Sequence, residues 1–334
     1  MFEHLRRARS LLMGLAIIGI AFYHAPFIIH DPYFRLFHSC LNCGVDMFLF
    51  LSGLGACHSI ARRGGRDYLR QRVRRLLPGL YLFLIPWSLI MLIRGFMTGW
   101  QFVGSVTLLG WWIGCPVQLN WYFSAVWMFF LLAVPLYALF RRVRFPALLW
   151  AGLILLSAGL AAVCPLDHLM TAVSRLPIFL TGMLFGVLEQ RGFRHTWPVR
   201  ILLWALIPVG IWLTGYVQWG DGGVLYGYRY GMWWYPYALM IPGYAVLFAD
   251  LSALLERSRI LTAVLQPIRL CGESSAEILM FHVGIYKSIM YTNHFRNRVW
   301  VCIMLGCIVL GCLYHCVVLP FLGRKIKRFL SERY

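Results

Sequence analysis

The chain has 334 residues, 60% of them apolar and 13% charged, with a mean hydropathy of +0.71. A soluble domain carries about 25% charged residues, so this composition excludes an ordinary soluble fold and points to a polytopic membrane protein. The formal net charge of +19 would suit a nucleic-acid binder only if the cations shared a soluble face interleaved with aromatics, and no such domain is present.

A membrane-spanning helix needs about 20 largely apolar residues. Open sheets and irregular backbone cannot satisfy their polar groups in lipid. The fold class read from the pattern is therefore all-α, with about ten spans filling one membrane domain over 1–334. They fall at 10–29, 41–60, 77–94, 119–140, 147–164, 172–190, 199–217, 231–250, 274–291 and 299–320. Val103–Cys115 is apolar but short, and reads as an interfacial or re-entrant piece. Arg6, Arg7 and Arg9 flank the first run as they would a signal peptide. That run is too long, holds a histidine and lacks a small-x-small site beyond it, so it reads as a retained span.

The connecting segments sort the cations. The N-terminus, 61–76, 141–146, 191–200, 251–273 and the tail hold 24 of the 31 Lys and Arg. By the positive-inside rule these segments are cytoplasmic, and so are both termini, as an even span count requires. The tail 323–334 is short, basic and amphipathic, suited to a membrane surface. The net charge is then mostly a topology signal plus contact with anionic lipid headgroups. The expected location is the plasma (inner) membrane.

In chain order, the first residue with a chemical meaning is His24, near the far end of Leu11–Ile29. An imidazole is costly in hydrocarbon and suited to proton transfer near neutral pH. Cys40-x-x-Cys43 is a weak metal signal, most other cysteines read as small apolar filler, and no metal is expected. Asp46, at the edge of the second span, reads either as a carboxylate orienting an imidazole or as a helix-start cap. Arg72 and Arg75 lie three apart on one helical face, where planar guanidinium forks suit phosphate. Snorkelling to headgroups is the competing reading. The aromatic clusters 110–112, 120–123 (with Trp121) and 232–237 read as interfacial belts, and the last two also as carbohydrate surfaces. The segment 272–288 carries Glu273, Glu277, His282 and Lys287, a heavy polar load for one span. Glu273 and Glu277, four apart, are expected to share a face looking into a cavity. ATP-driven, nicotinamide and zincin chemistry lose support, because their motifs are missing from the sequence.

Several segments together resemble the acyltransferase-3 family of membrane acyltransferases. They are GLAIIGIAFYHA at the first span, GVDMFLFLSG at 44–53, and Tyr68-x3-Arg72-x2-Arg75-x2-Pro78. NWYFSAVWMFFLLAVP at 120–135, PIFLTGMLFG at 177–186 and SSAEILMFHV at 274–283 follow in register. The resemblance implies transfer of an acyl group, often acetyl, from cytoplasmic acyl-CoA (acetyl-CoA) to a cell-surface glycan or lipid-linked sugar. It makes His24 the catalytic histidine and gives Arg72 and Arg75 to donor binding or pore electrostatics. Asp46 and His282 sit in family-like motifs; Asp46 is expected to be catalytic beside His24, and Trp121, Glu273, Glu277 and His282 to be substrate or supporting residues. One position departs: the family usually places Arg or Lys eleven residues before its histidine, and here that residue is Met13. Arg9, one helical turn below, is the available substitute.

The alternative is a proton-coupled transporter or channel, with Glu273, Glu277, His282 and Lys287 as the path. No half-to-half repeat supports it. The short external loops hold no separate acceptor domain, which leaves a partner or a homo-oligomer open.

Overall fold

The computed structural model describes residues 1–115, 119, 121–163, 167–193, 196–219, 235–290 and 296–324. Asn120, Cys164, Arg229, 232–234 and all but the first two residues of the basic tail lie outside these. The elements are α1 (Phe2–Arg7), α2 (Arg9–His24), α3 (Pro32–Cys40), α4 (Gly44–Arg63), α5 (Gly65–Ile93) and α6 (Gly99–Val106). They continue with α7 (Trp121–Arg142), α8 (Pro146–Val163), α9 (Asp167–Val173), α10 (Leu176–Gln190) and α11 (Trp197–Trp219). The last are α12 (Tyr235–Leu255), α13 (Arg259–Glu273), α14 (Ser275–Met290) and α15 (Asn297–Leu313). A π-helical turn, Tyr314–Val318, prolongs α15. No strand occurs among the described residues.

Eight helical stretches among the described residues are long and apolar enough to cross a membrane. The two remaining segments expected to span, 10–29 and 274–291, appear as α2 and α14. Each has 16 residues. Such a helix rises about 24 Å, short of a hydrocarbon core of about 30 Å. These two short helices carry His24, part-buried, and His282, buried.

The basic segment 61–76, expected as a loop, is helical on both sides of one residue. Gly64, at φ +81°, ends α4 in a conformation that disfavours any side chain. α5 starts at once and runs 29 residues. At about 44 Å it exceeds the hydrocarbon core, so its Arg-rich first turns extend past the apolar layer. Val103–Cys115 forms no span. α6, closed by a Thr98–Gln101 capping box, is followed by the tight turn Gly110–Ile113.

Helices in lipid associate through close packing rather than through water exclusion. α4 and α10, both mostly buried, form the centre on that basis. A Cβ at Gly182 would stand 2.1 Å from the Phe50 carbonyl oxygen, and one at Gly53 2.3 Å from that of Phe179. α13 meets α2 the same way, through Gly272 on Ser10 and Gly14 on Ile268. α8 and α11 stay outside and turn Leu148, Leu155, Val163, Leu202 and Trp212 outward, as a lipid-facing layer should. α2 and α14 pack side by side, with His24 at the end of α2 against His282 in the middle of α14, and with Arg9 at the other end of α2.

Candidate active site

α2 buries Leu12, Ala16, Ile17, Ile20 and Ala21 on one stripe and ends on His24. Ala25 turns extended and ends the helix, and its N–H reaches back to the Phe22 carbonyl at 3.2 Å. Two side chains add donors at this end. The His38 Nε2–H donates to the Phe22 carbonyl at 2.9 Å, and the Tyr286 hydroxyl to that of Ala21 at 3.4 Å. The helix end that presents His24 is thereby fixed.

His24 Nδ1 lies 3.0 Å from His282 Nε2. His282 is fully buried, and its Nδ1 lies 2.8 Å from the Ile278 carbonyl oxygen one turn back. A carbonyl oxygen only accepts, so His282 carries its proton on Nδ1. In the neutral ring Nε2 is then an acceptor, and His24 must donate from its own Nδ1. Nε2 of His24 is left as the nitrogen with a free lone pair. The arrangement selects one tautomer and exposes the basic nitrogen away from the pair. Tyr286 packs edge-on against His282 at 5.6 Å, and Trp300 backs Tyr286 at 5.5 Å. Lys287, half-buried on the next position of α14, acts electrostatically on His24.

The structure gives Asp46 a different neighbour from the one considered in the sequence. Its Oδ2 pairs with Arg175 Nε at 3.4 Å, and both side chains are 1% exposed. Arg175 also donates from Nη1 to the Thr171 carbonyl, and its guanidinium lies 5.2 Å from the Trp121 ring. Trp121 thus covers an ion pair that ties α4 to the start of α10. Arg175 was hidden in the sequence among seven cations outside the basic segments. A lone Arg before an apolar run was the available signal.

At the other end of α2, Arg9, Arg72 and Arg75 enter two adjoining cavities. One, of 460 Å³, also takes Arg6, His58 and Arg62. The other, of 160 Å³, runs inward past Met13, Tyr122, Glu277 and His315. Arg9 therefore reaches the space that Met13 lines, as its place one turn below predicts. The Arg72 guanidinium lies 5.0 Å from the Tyr68 ring and 5.1 Å from that of Phe130, within cation–π reach of both. Arg6 is tied to Glu189 at 2.6 Å, and His58 to the same carboxylate at 2.8 Å.

The polar load of 272–288 is divided. α13 ends at Glu273 and α14 begins at Ser275, so Glu273 and Glu277 are not on one continuous helix, although both line the smaller cavity. Glu277 faces His315 at 3.4 Å, while His282 faces His24. His315 went unnoticed in the sequence because a helical reading of α15 gives no hint of a π turn.

Eight apolar helices that enclose buried ionisable groups mark an integral membrane protein. A family described as an acyltransferase domain, acyltransferase-3, matches residues 11–317, and the chain belongs to it. It is a membrane acyltransferase. Among curated proteins and among solved structures, none matches the chain.

Proposed function

We propose that the protein moves an acyl group, acetyl by preference, from acyl-CoA to a hydroxyl of a cell-surface glycan or lipid-linked sugar. In this reading it lies in the plasma membrane with its basic end cytoplasmic. The observation that carries it is the His24–His282 pair, which leaves a basic nitrogen at one end of a helix whose other end is ringed by arginines.

The donor phosphates sit at Arg9, Arg72 and Arg75, where guanidinium forks match phosphate oxygens. Arg9 is 15 positions before His24, about 22 Å along the helix, a span suited to an extended thioester arm. The acceptor comes from the opposite face. His24 Nε2 takes the hydroxyl proton as the oxygen attacks the thioester carbonyl. The resulting imidazolium keeps its Nδ1–H bond to His282, which stabilises the new charge. The tetrahedral intermediate collapses, the C–S bond breaks, and His24 returns the proton to the departing thiolate. The products are the acyl ester and free coenzyme A.

The test is purified protein with labelled acetyl-CoA and a panel of lipid-linked glycans. Label in a glycan ester supports the reading. Proton-coupled flux in liposomes with no turnover of acetyl-CoA would favour a transporter instead.

A further inference from the structure

The proposed mechanism leaves Glu277 and His315 unused. Glu277 is 9% exposed and lines the 160 Å³ cavity that Arg9, Arg72 and Arg75 enter. One carboxylate oxygen, Oε1, stands 3.4 Å from His315 Nδ1. The other, Oε2, is buried and meets no hydrogen-bond donor among the described residues. A buried carboxylate oxygen without a donor is costly, and such a group calls for a ligand. His315 belongs to the π turn Tyr314–Val318. π turns are rare, re-aim side chains locally and gather at functional sites.

The position of the pair narrows what that ligand is. Glu277 precedes His282 by five residues on α14, about 7.5 Å toward the basic end. It therefore lies between the arginines and the histidine pair. The surrounding wall is largely apolar, with Met13, Phe48, Leu76, Phe123 and Val126. Resting on the acyl-CoA reading, the segment that must occupy this level is the pantetheine arm between the phosphates and the thioester. That arm carries two secondary amides. An amide N–H in an apolar passage needs an acceptor, and Glu277 Oε2 is one without a donor.

We infer that Glu277 Oε2 accepts a hydrogen bond from an amide N–H of the pantetheine arm, while His315 holds the other carboxylate oxygen. The site selects donors by their arm and not by their phosphates alone.

The test is equilibrium binding of two probes to the purified full-length protein. One probe is coenzyme A. The other is its 3′-phospho-ADP fragment, which has every phosphate and no arm. The proteins are wild type, Glu277→Leu and Glu277→Gln. Glu277→Leu should weaken coenzyme A by about tenfold, the scale of a hydrogen bond to a charged acceptor, and leave the fragment within about twofold of wild type. Glu277→Gln keeps an acceptor oxygen and should fall between. Parallel changes for both probes would overturn the inference, because Glu277 would then act as a counter-charge to the arginines or as a structural group. An unchanged affinity for coenzyme A in Glu277→Leu would overturn it as well. If wild type binds neither probe, the acyl-CoA reading itself fails and takes the inference with it. If wild type binds both and Glu277→Leu does not separate them, the inference fails alone.

Discussion

His24 and His282, 258 positions apart, face each other ring nitrogen to ring nitrogen at 3.0 Å. The Ile278 carbonyl sets the tautomer of His282, and His282 sets that of His24. The proton-accepting nitrogen is chosen by a chain of two hydrogen bonds that starts on the backbone of α14. In the proposed mechanism His282 therefore acts through His24 and not on the substrate.

His282→Leu should lower kcat by up to about 10²-fold, part of the worth of a general base, and leave the KM for the donor nearly unchanged. His282→Gln keeps a side-chain acceptor for the His24 Nδ1–H and should recover part of the rate. Steady-state kinetics on the two variants check this. Equal losses in both would mean that packing, and not the hydrogen bond, is what His282 provides.

Asp46 and Arg175 should matter for stability. Breaking a buried ion pair from one side strands a charge and costs about 3–5 kcal/mol. Asp46→Leu should thus lower the thermal midpoint in detergent sharply. The double variant Asp46→Leu with Arg175→Met should regain much of that loss, because no charge is left unpaired. A double variant less stable than either single one would contradict the pairing.

Arg72 lies within cation–π reach of Tyr68 and Phe130. Arg72→Lys keeps the charge but loses the fork and weakens the contact with the two rings, so it should raise the donor KM nearly as much as Arg72→Gln. Arg75 lines both cavities without a described aromatic neighbour, and Arg75→Lys should be milder. Donor titrations at low and high salt read the difference.

Gly182→Ala should destabilise the centre of the bundle. The added Cβ meets the Phe50 carbonyl oxygen at 2.1 Å, a backbone atom that moves only if α4 moves. Overpacking of this kind costs about 1–3 kcal/mol or more. Gly159→Ala, on α8 with open space around it, should change the melting temperature little. Thermal unfolding of the two variants side by side tests the contrast.

The membrane class, the helix positions and His24 were legible in the sequence, because hydropathy and a stray imidazole are local signals. Arg72 and Arg75 were legible as one face, because their spacing is that of a helix. The partners were not. His282 lies 258 residues from His24, and Arg175 lies 129 from Asp46, and nothing in either local sequence names the other. The break at Ser274 was hidden because the apolar pattern runs on through 275–283. The helical state of 61–76 was hidden by its charge, since an Arg-rich run beside a span reads equally as a loop or as the end of a long helix.

His24 is the base in the proposed mechanism. The most direct measurement is transfer of labelled acetyl from acetyl-CoA to the acceptor by His24→Ala, with donor binding measured on the same preparation. Donor affinity should be unchanged and the transfer rate lower by about 10²–10⁴-fold. Full transfer by His24→Ala would contradict that role.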